Sequence, residues 1–116
     1  MFTGYVVVAL LAVAANTWAA TLDFTRAESA VANATTVGAP LSWLFPLGAL
    51  KAAGALGLLV GIWVPLIGIA AAVGLVLFFV CAIVAHLRVR WYSTIPFPAT
   101  FLLLAAGALV LRVASY

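Results

Sequence analysis

The sequence predicts an all-α membrane protein, a four-transmembrane-helix bundle with a long first loop. Three observations predict it. Of 116 residues, 69% are hydrophobic and only 6% are charged, so the chain cannot present a water-soluble surface. The apolar residues gather into four stretches, each close to the roughly 20 residues a helix needs to cross a hydrocarbon layer of about 30 Å. Between them lie short segments rich in Pro, Gly, Thr, Asn and Arg, where the chain turns. This length holds the four spans and little else, as one domain without a soluble catalytic module.

The first span, residues 3–20, lacks the positively charged start of a secretory signal and is expected to stay in the mature protein. Its helical pattern can run on to residue 28. Asn16 and Asp23, seven residues apart, then share a face, and Asp23 and Arg26 form an i, i+3 pair. Asn16 suits a helix–helix hydrogen bond or a ligand contact. Asp23, Arg26 and Glu28 read either as a solvated interfacial turn or as the polar end of a site. Residues 29–40, SAVANATTVGAP, have loop composition and form the expected long connection, suited to covering one membrane face.

The second span, residues 42–63, carries Lys51 near its middle. A lone charge there opposes insertion by about 3 kcal/mol, so Lys51 is expected to turn toward other helices, a partner or a polar cavity, unless its stem snorkels to the headgroups. At 100° per residue, Gly54, Gly57 and Gly61 fall on one stripe with Lys51 at its edge. Such a stripe is a close-packing seam. Trp43 and Trp63 sit at opposite ends, as aromatic belt residues do.

Pro65 follows so closely that the second and third spans must form a tight antiparallel hairpin, with the proline in the first turn of the next helix. The third span, residues 66–87, is apolar until His86, and the basic aromatic segment at residues 87–92 reads as a membrane interface where Arg88 and Arg90 meet headgroups. Cys81, the single cysteine, excludes an intramolecular disulfide and reads as a buried structural thiol. Pro96 and Pro98 open the fourth span, residues 97–113, and Arg112 marks its far interface.

Four spans place both termini and the hairpin turn on one side and the two remaining loops on the other. Asn16, Asp23, Glu28, His86 and Arg88 all lie toward the loop side, and Lys51 is reached from it. One polar pocket is implied. Five basic residues against two acidic ones are too few and too scattered for nucleic-acid binding. No metal-ligand cluster, phosphate loop or nucleophile elbow appears in the sequence.

Two functions fit this pocket. In the first, Asn16, Lys51, His86 and Arg88 bind a lipophilic small molecule, with a protein partner on the loop side and a homo-oligomer as a further form. In the second, the protein is a small membrane-embedded acid–base enzyme, a hydrolase or isomerase, with Asp23, Glu28 and His86 as catalytic groups and Lys51 beside them.

Val37-Gly38-Ala39-Pro40, the run from Leu47 to Leu59 (LGALKAAGALGLL) and Ala82-Ile83-Val84-Ala85-His86 together resemble the DoxX-like family. There a Gly-x-Pro-like step leads into a glycine-rich second helix, and the third helix ends near a histidine followed by basic residues. The resemblance implies a small integral membrane protein of the bacterial cytoplasmic membrane. It also implies a link to quinone-dependent sulfur oxidation and to membrane oxidoreductase assemblies, with a quinone as the lipophilic cofactor. It brings no agreed catalytic residues.

Overall fold

Apolar runs of span length, punctuated by proline and glycine, fold into helices because a helix satisfies its own backbone groups where no water is available. The computed structural model describes residues 1–90 and 92–116. Trp91, part of the basic aromatic segment, lies outside the described residues. The helices are α1 (Phe2–Phe24), α2 (Glu28–Val37), α3 (Leu44–Val60), α4 (Pro65–Arg88) and α5 (Pro96–Ala114), with single tight turns at Leu41–Trp43 and Tyr92–Thr94. Among the described residues, four helices are long and apolar enough to cross a membrane: α1, α3 with its preceding turn, α4 and α5.

These four close a ring in which α1 packs on α3 and α5, and α4 packs on the same two helices. The centre is built largely of small side chains: Ala9 and Ala12 of α1, Ala72 of α4, and Ala105 and Ala108 of α5, all buried. Alanines let backbones approach, which is what drives association in lipid, where apolar surface gains nothing by leaving its surroundings. Larger Tyr5, Leu58, Leu75 and Phe79 fill the remaining space.

The glycine seam of α3 faces α4. A Cβ on Gly57 would meet Ala71, one on Gly54 would meet Leu75, and one on Gly61 would run into the Gly68 backbone and the Tyr5 hydroxyl. The two backbones therefore nearly touch where the hairpin turns. That turn closes tightly, with the Trp63 and Val64 N–H groups both donating to the Val60 carbonyl at 3.0 Å. Pro65 then starts α4 in its first turn, where its missing N–H would have had no helical partner. Trp43 and Trp63 are exposed at the two ends of the bundle, as a belt requires.

Three expectations are corrected. The long first loop is absent, because most of residues 29–40 form α2. Its alanines favour helix, Glu28 in its first turn complements the positive end of the dipole, and Gly38 ends it in the left-handed region at φ 78°. Ala30 and Ala34, one turn apart, then bury against Leu44. Secondly, α1 does not reach residue 28. Arg26 takes φ 50°, its N–H donates to the Asp23 carbonyl at 3.2 Å, and the Ala27 N–H donates to that of Leu22 at 2.9 Å, which ends the helix as a Schellman turn. Arg26 is thereby turned out to an exposed position, away from a helical pairing with Asp23. Thirdly, Cys81 is exposed rather than buried. In a four-helix bundle much of every apolar helix faces lipid, so apolar neighbours in sequence do not imply burial in protein.

Candidate functional site

Asp23 lies at the loop-side end of α1, on the face that also carries buried Asn16 and Ala20. The close approach of α3 brings Lys51 to it, with Lys51 Nζ 2.8 Å from Asp23 Oδ2. Gly48 makes this approach possible, since a Cβ there would lie 3.0 Å from Asp23 Cβ and 3.1 Å from the Phe24 ring. The pair is nearly enclosed, with side-chain exposures of 15% for lysine and 8% for aspartate. From α4 the Phe78 ring completes the surroundings, its centroid 5.5 Å from Nζ. Lysine thus neither snorkels nor stands alone. Its charge is matched inside the bundle by one of the two carboxylates in the chain.

Beside this pair runs a cleft of about 1290 Å³, lined mainly by α3 and α4 with contributions from α1 and α5. Gly54, Gly57, Ala70 and Ala71 line it, Gly74 leaves open space within it, and α2 lies across its loop-side end through Ala30, Asn33 and Ala34. Leu50 and Leu77 are exposed on its rim, so the cleft opens sideways toward lipid. From Ile67 to His86 it follows α4 for about 28 Å at 1.5 Å per residue, nearly a full hydrocarbon thickness. Among the described residues Asp23 and Lys51 supply its charged groups, with the His86 imidazole and the Cys81 thiol beside them, and the rest of the lining is largely apolar. A long apolar chain with one polar end matches that distribution.

His86 is buried at the loop-side end. Its Nδ1 donates to the Ala82 carbonyl at 2.7 Å, an assignment that follows because a carbonyl can only accept. This bond fixes the ring against its own helix while the residue lines the cleft.

The other expected site residues are placed differently. Asn16 is fully buried at 0% exposure. Its Nδ2 donates to the Ala12 carbonyl at 2.9 Å, and its Oδ1 has no hydrogen-bond partner among the described residues. It is not among the residues lining the cleft. Glu28 is exposed at the start of α2 and Arg88 is exposed in the last turn of α4, and neither lines the cleft. The fold therefore gathers Asp23, Lys51 and His86 around one space and leaves Glu28 and Arg88 on the loop-side surface.

A second polar cluster, on the side of the termini, was not legible in the sequence. Arg112 is only 4% exposed. Its Nε donates to the Gly61 carbonyl at 2.9 Å, one Nη donates to Ser115 Oγ at 3.1 Å, and its guanidinium lies 5.1 Å and 5.3 Å from the Phe2 and Tyr5 ring centroids. Tyr5 in turn donates its hydroxyl to the Leu58 carbonyl at 2.7 Å. Two end carbonyls of α3, which have no helical donors of their own, are thus satisfied from α1 and α5, with a cation at the negative end of the dipole. An arginine closing an apolar span looks the same in sequence whether it meets lipid or protein.

Compared with known proteins, residues 7–108 match the family model described as the DoxX-like family. No curated protein and no solved structure matches the chain.

Proposed function

Because this chain belongs to the DoxX-like family, we propose that it is a binding subunit that holds a lipophilic, quinone-like molecule drawn from the bilayer and serves a membrane redox assembly. The observation that carries this reading is the cleft itself: an apolar channel about as long as a hydrocarbon layer, open toward lipid, with the Asp23–Lys51 pair and His86 confined to its loop-side half. The ligand's tail lies against the small residues of α3 and α4. Its head group takes hydrogen bonds from Lys51 and meets His86. The setting is the bacterial cytoplasmic membrane. A redox partner docks on the loop side, where Arg26, Arg88 and Arg90 are exposed together with α2.

The test is native mass spectrometry of the protein extracted in mild detergent, with lipid extraction of the same preparation. The expected result is a quinone-like molecule retained near stoichiometric amount after phospholipid has been stripped away. A protein that carries only bulk phospholipid, or nothing, overturns the reading.

A further inference from the structure

Resting on the cleft reading above, we propose that Asp23 is the charge filter of the cleft, the residue that keeps anionic amphiphiles off Lys51 and confines occupancy to long-chain molecules with an uncharged, hydrogen-bond-accepting head group. A cleft open to the bilayer is open to every amphiphile in it, including acidic lipids and fatty carboxylates. An ammonium lining such a cleft would bind those anions strongly, because ionic hydrogen bonds are strongest where water is scarce. Lys51 is that ammonium, about 10 Å along α3 from Leu44, and no arginine lines the cleft among the described residues.

Asp23 removes the attraction without removing the donor. Its Oδ2 sits 2.8 Å from Nζ, so the pair is neutral as a unit, and an arriving anion would meet carboxylate repulsion together with ammonium attraction. A lysine ammonium has three N–H donors, so an uncharged carbonyl or hydroxyl oxygen can still accept from Lys51. The carboxylate reaches this position from a different helix, across a close contact in which a Cβ at Gly48 would lie only 3.0 Å from Asp23 Cβ. Phe78 covers another side of Nζ with a ring face that attracts cations and repels anions. Depth acts in the same direction, since a charged head group drawn down to Lys51 would have to leave the interface.

The experiment uses the full chain in lipid nanodiscs and two photoreactive probes of equal tail length, each with a diazirine in the tail. One has a ketone head and the other a sulfonate head, which stays ionised throughout. Labelled residues are located by mass spectrometry. In the wild type the ketone probe should label the cleft rim at Leu50 and Leu77 in preference to the sulfonate. Asp23→Asn should shift the preference toward sulfonate by about tenfold or more, the change expected when one ionic contact is uncovered. The double variant Asp23→Asn with Lys51→Met should lose that sulfonate gain. Equal labelling by both probes in the wild type overturns the filter and needs no variant to fold. An unchanged preference in a folded Asp23→Asn protein also overturns it. If neither probe labels the rim in the wild type, the cleft reading itself fails.

Discussion

Lys51 Nζ and Asp23 Oδ2, separated by 28 positions in the chain, stand 2.8 Å apart between α3 and α1. The pair turns two residues that each oppose membrane insertion into one neutral unit. Removing one partner leaves the other charged in a poorly hydrated place, so Lys51→Met and Asp23→Asn should each destabilise the bundle by about 3 kcal/mol. Lys51→Met combined with Asp23→Asn should recover most of that loss. Reversible unfolding in mixed micelles measures all three, and additive losses in the double variant would refute the coupling.

The α3–α4 seam makes a graded prediction. At Gly61 any side chain meets the Gly68 backbone, which cannot give way, so Gly61→Leu should destabilise by about 2 kcal/mol or more. Gly74 faces open space within the cleft, with nothing inside 4 Å of an added Cβ. Gly74→Ala should therefore change stability by less than about 0.5 kcal/mol. The same unfolding assay separates the two.

A bulkier group at that open position tests the cleft by occupation. Gly74→Phe should leave the fold intact while lowering retention of the proposed lipophilic ligand by about tenfold, the ratio equivalent to 1.4 kcal/mol. The check is native mass spectrometry on wild type and variant purified in parallel. Equal retention would place the ligand elsewhere.

Arg112 should behave as a brace rather than as a surface charge. Arg112→Met leaves the Gly61 carbonyl without its donor and should cost about 2 kcal/mol of stability. Arg112→Lys should recover little, because a single ammonium cannot reproduce the fork that reaches Gly61 and Ser115 at once. Thermal unfolding in detergent reads both.

Arg26 holds φ 50°, a conformation that opposes an L side chain by about 1–2 kcal/mol. Arg26→Gly should relieve it and raise the midpoint of thermal unfolding slightly, after the greater freedom of glycine in the unfolded chain is subtracted. Arg26→Val should lower the midpoint, since a β-branched residue fits that region worst.

Much of this protein could be read along the chain. The four spans, the tight hairpin before Pro65, the belt tryptophans and the glycine stripe of α3 are local or periodic features, so hydropathy and a helical repeat suffice to find them. Lys51 was conspicuous for the same reason, as a charge inside an apolar run. The sequence also set Asn16 and Asp23 on one face of α1, which the buried face of that helix bears out.

What the sequence could not supply depends on which helix lies beside which. Residues 29–40 carry loop-like residues, and helix forms there with the help of contacts the sequence does not show, Ala30 and Ala34 burying against Leu44. Glu28 and Asp23 are near neighbours in sequence, yet the left-handed turn at Arg26 sends one to the surface and the other to Lys51. Arg112 looked like an interfacial charge until α5 was set against the end of α3. The sequence by itself determined that the chain forms four apolar spans and that one of them carries a charge in need of company, because span length and hydropathy are properties of each segment alone. Only the tertiary structure decided that Asp23 provides that company, that His86 lines the same cleft, and that Arg112 closes the opposite end. Those pairings arise from the order of helices around the ring and from the close approach that Gly48 and Gly61 allow, and neither is encoded in any single segment.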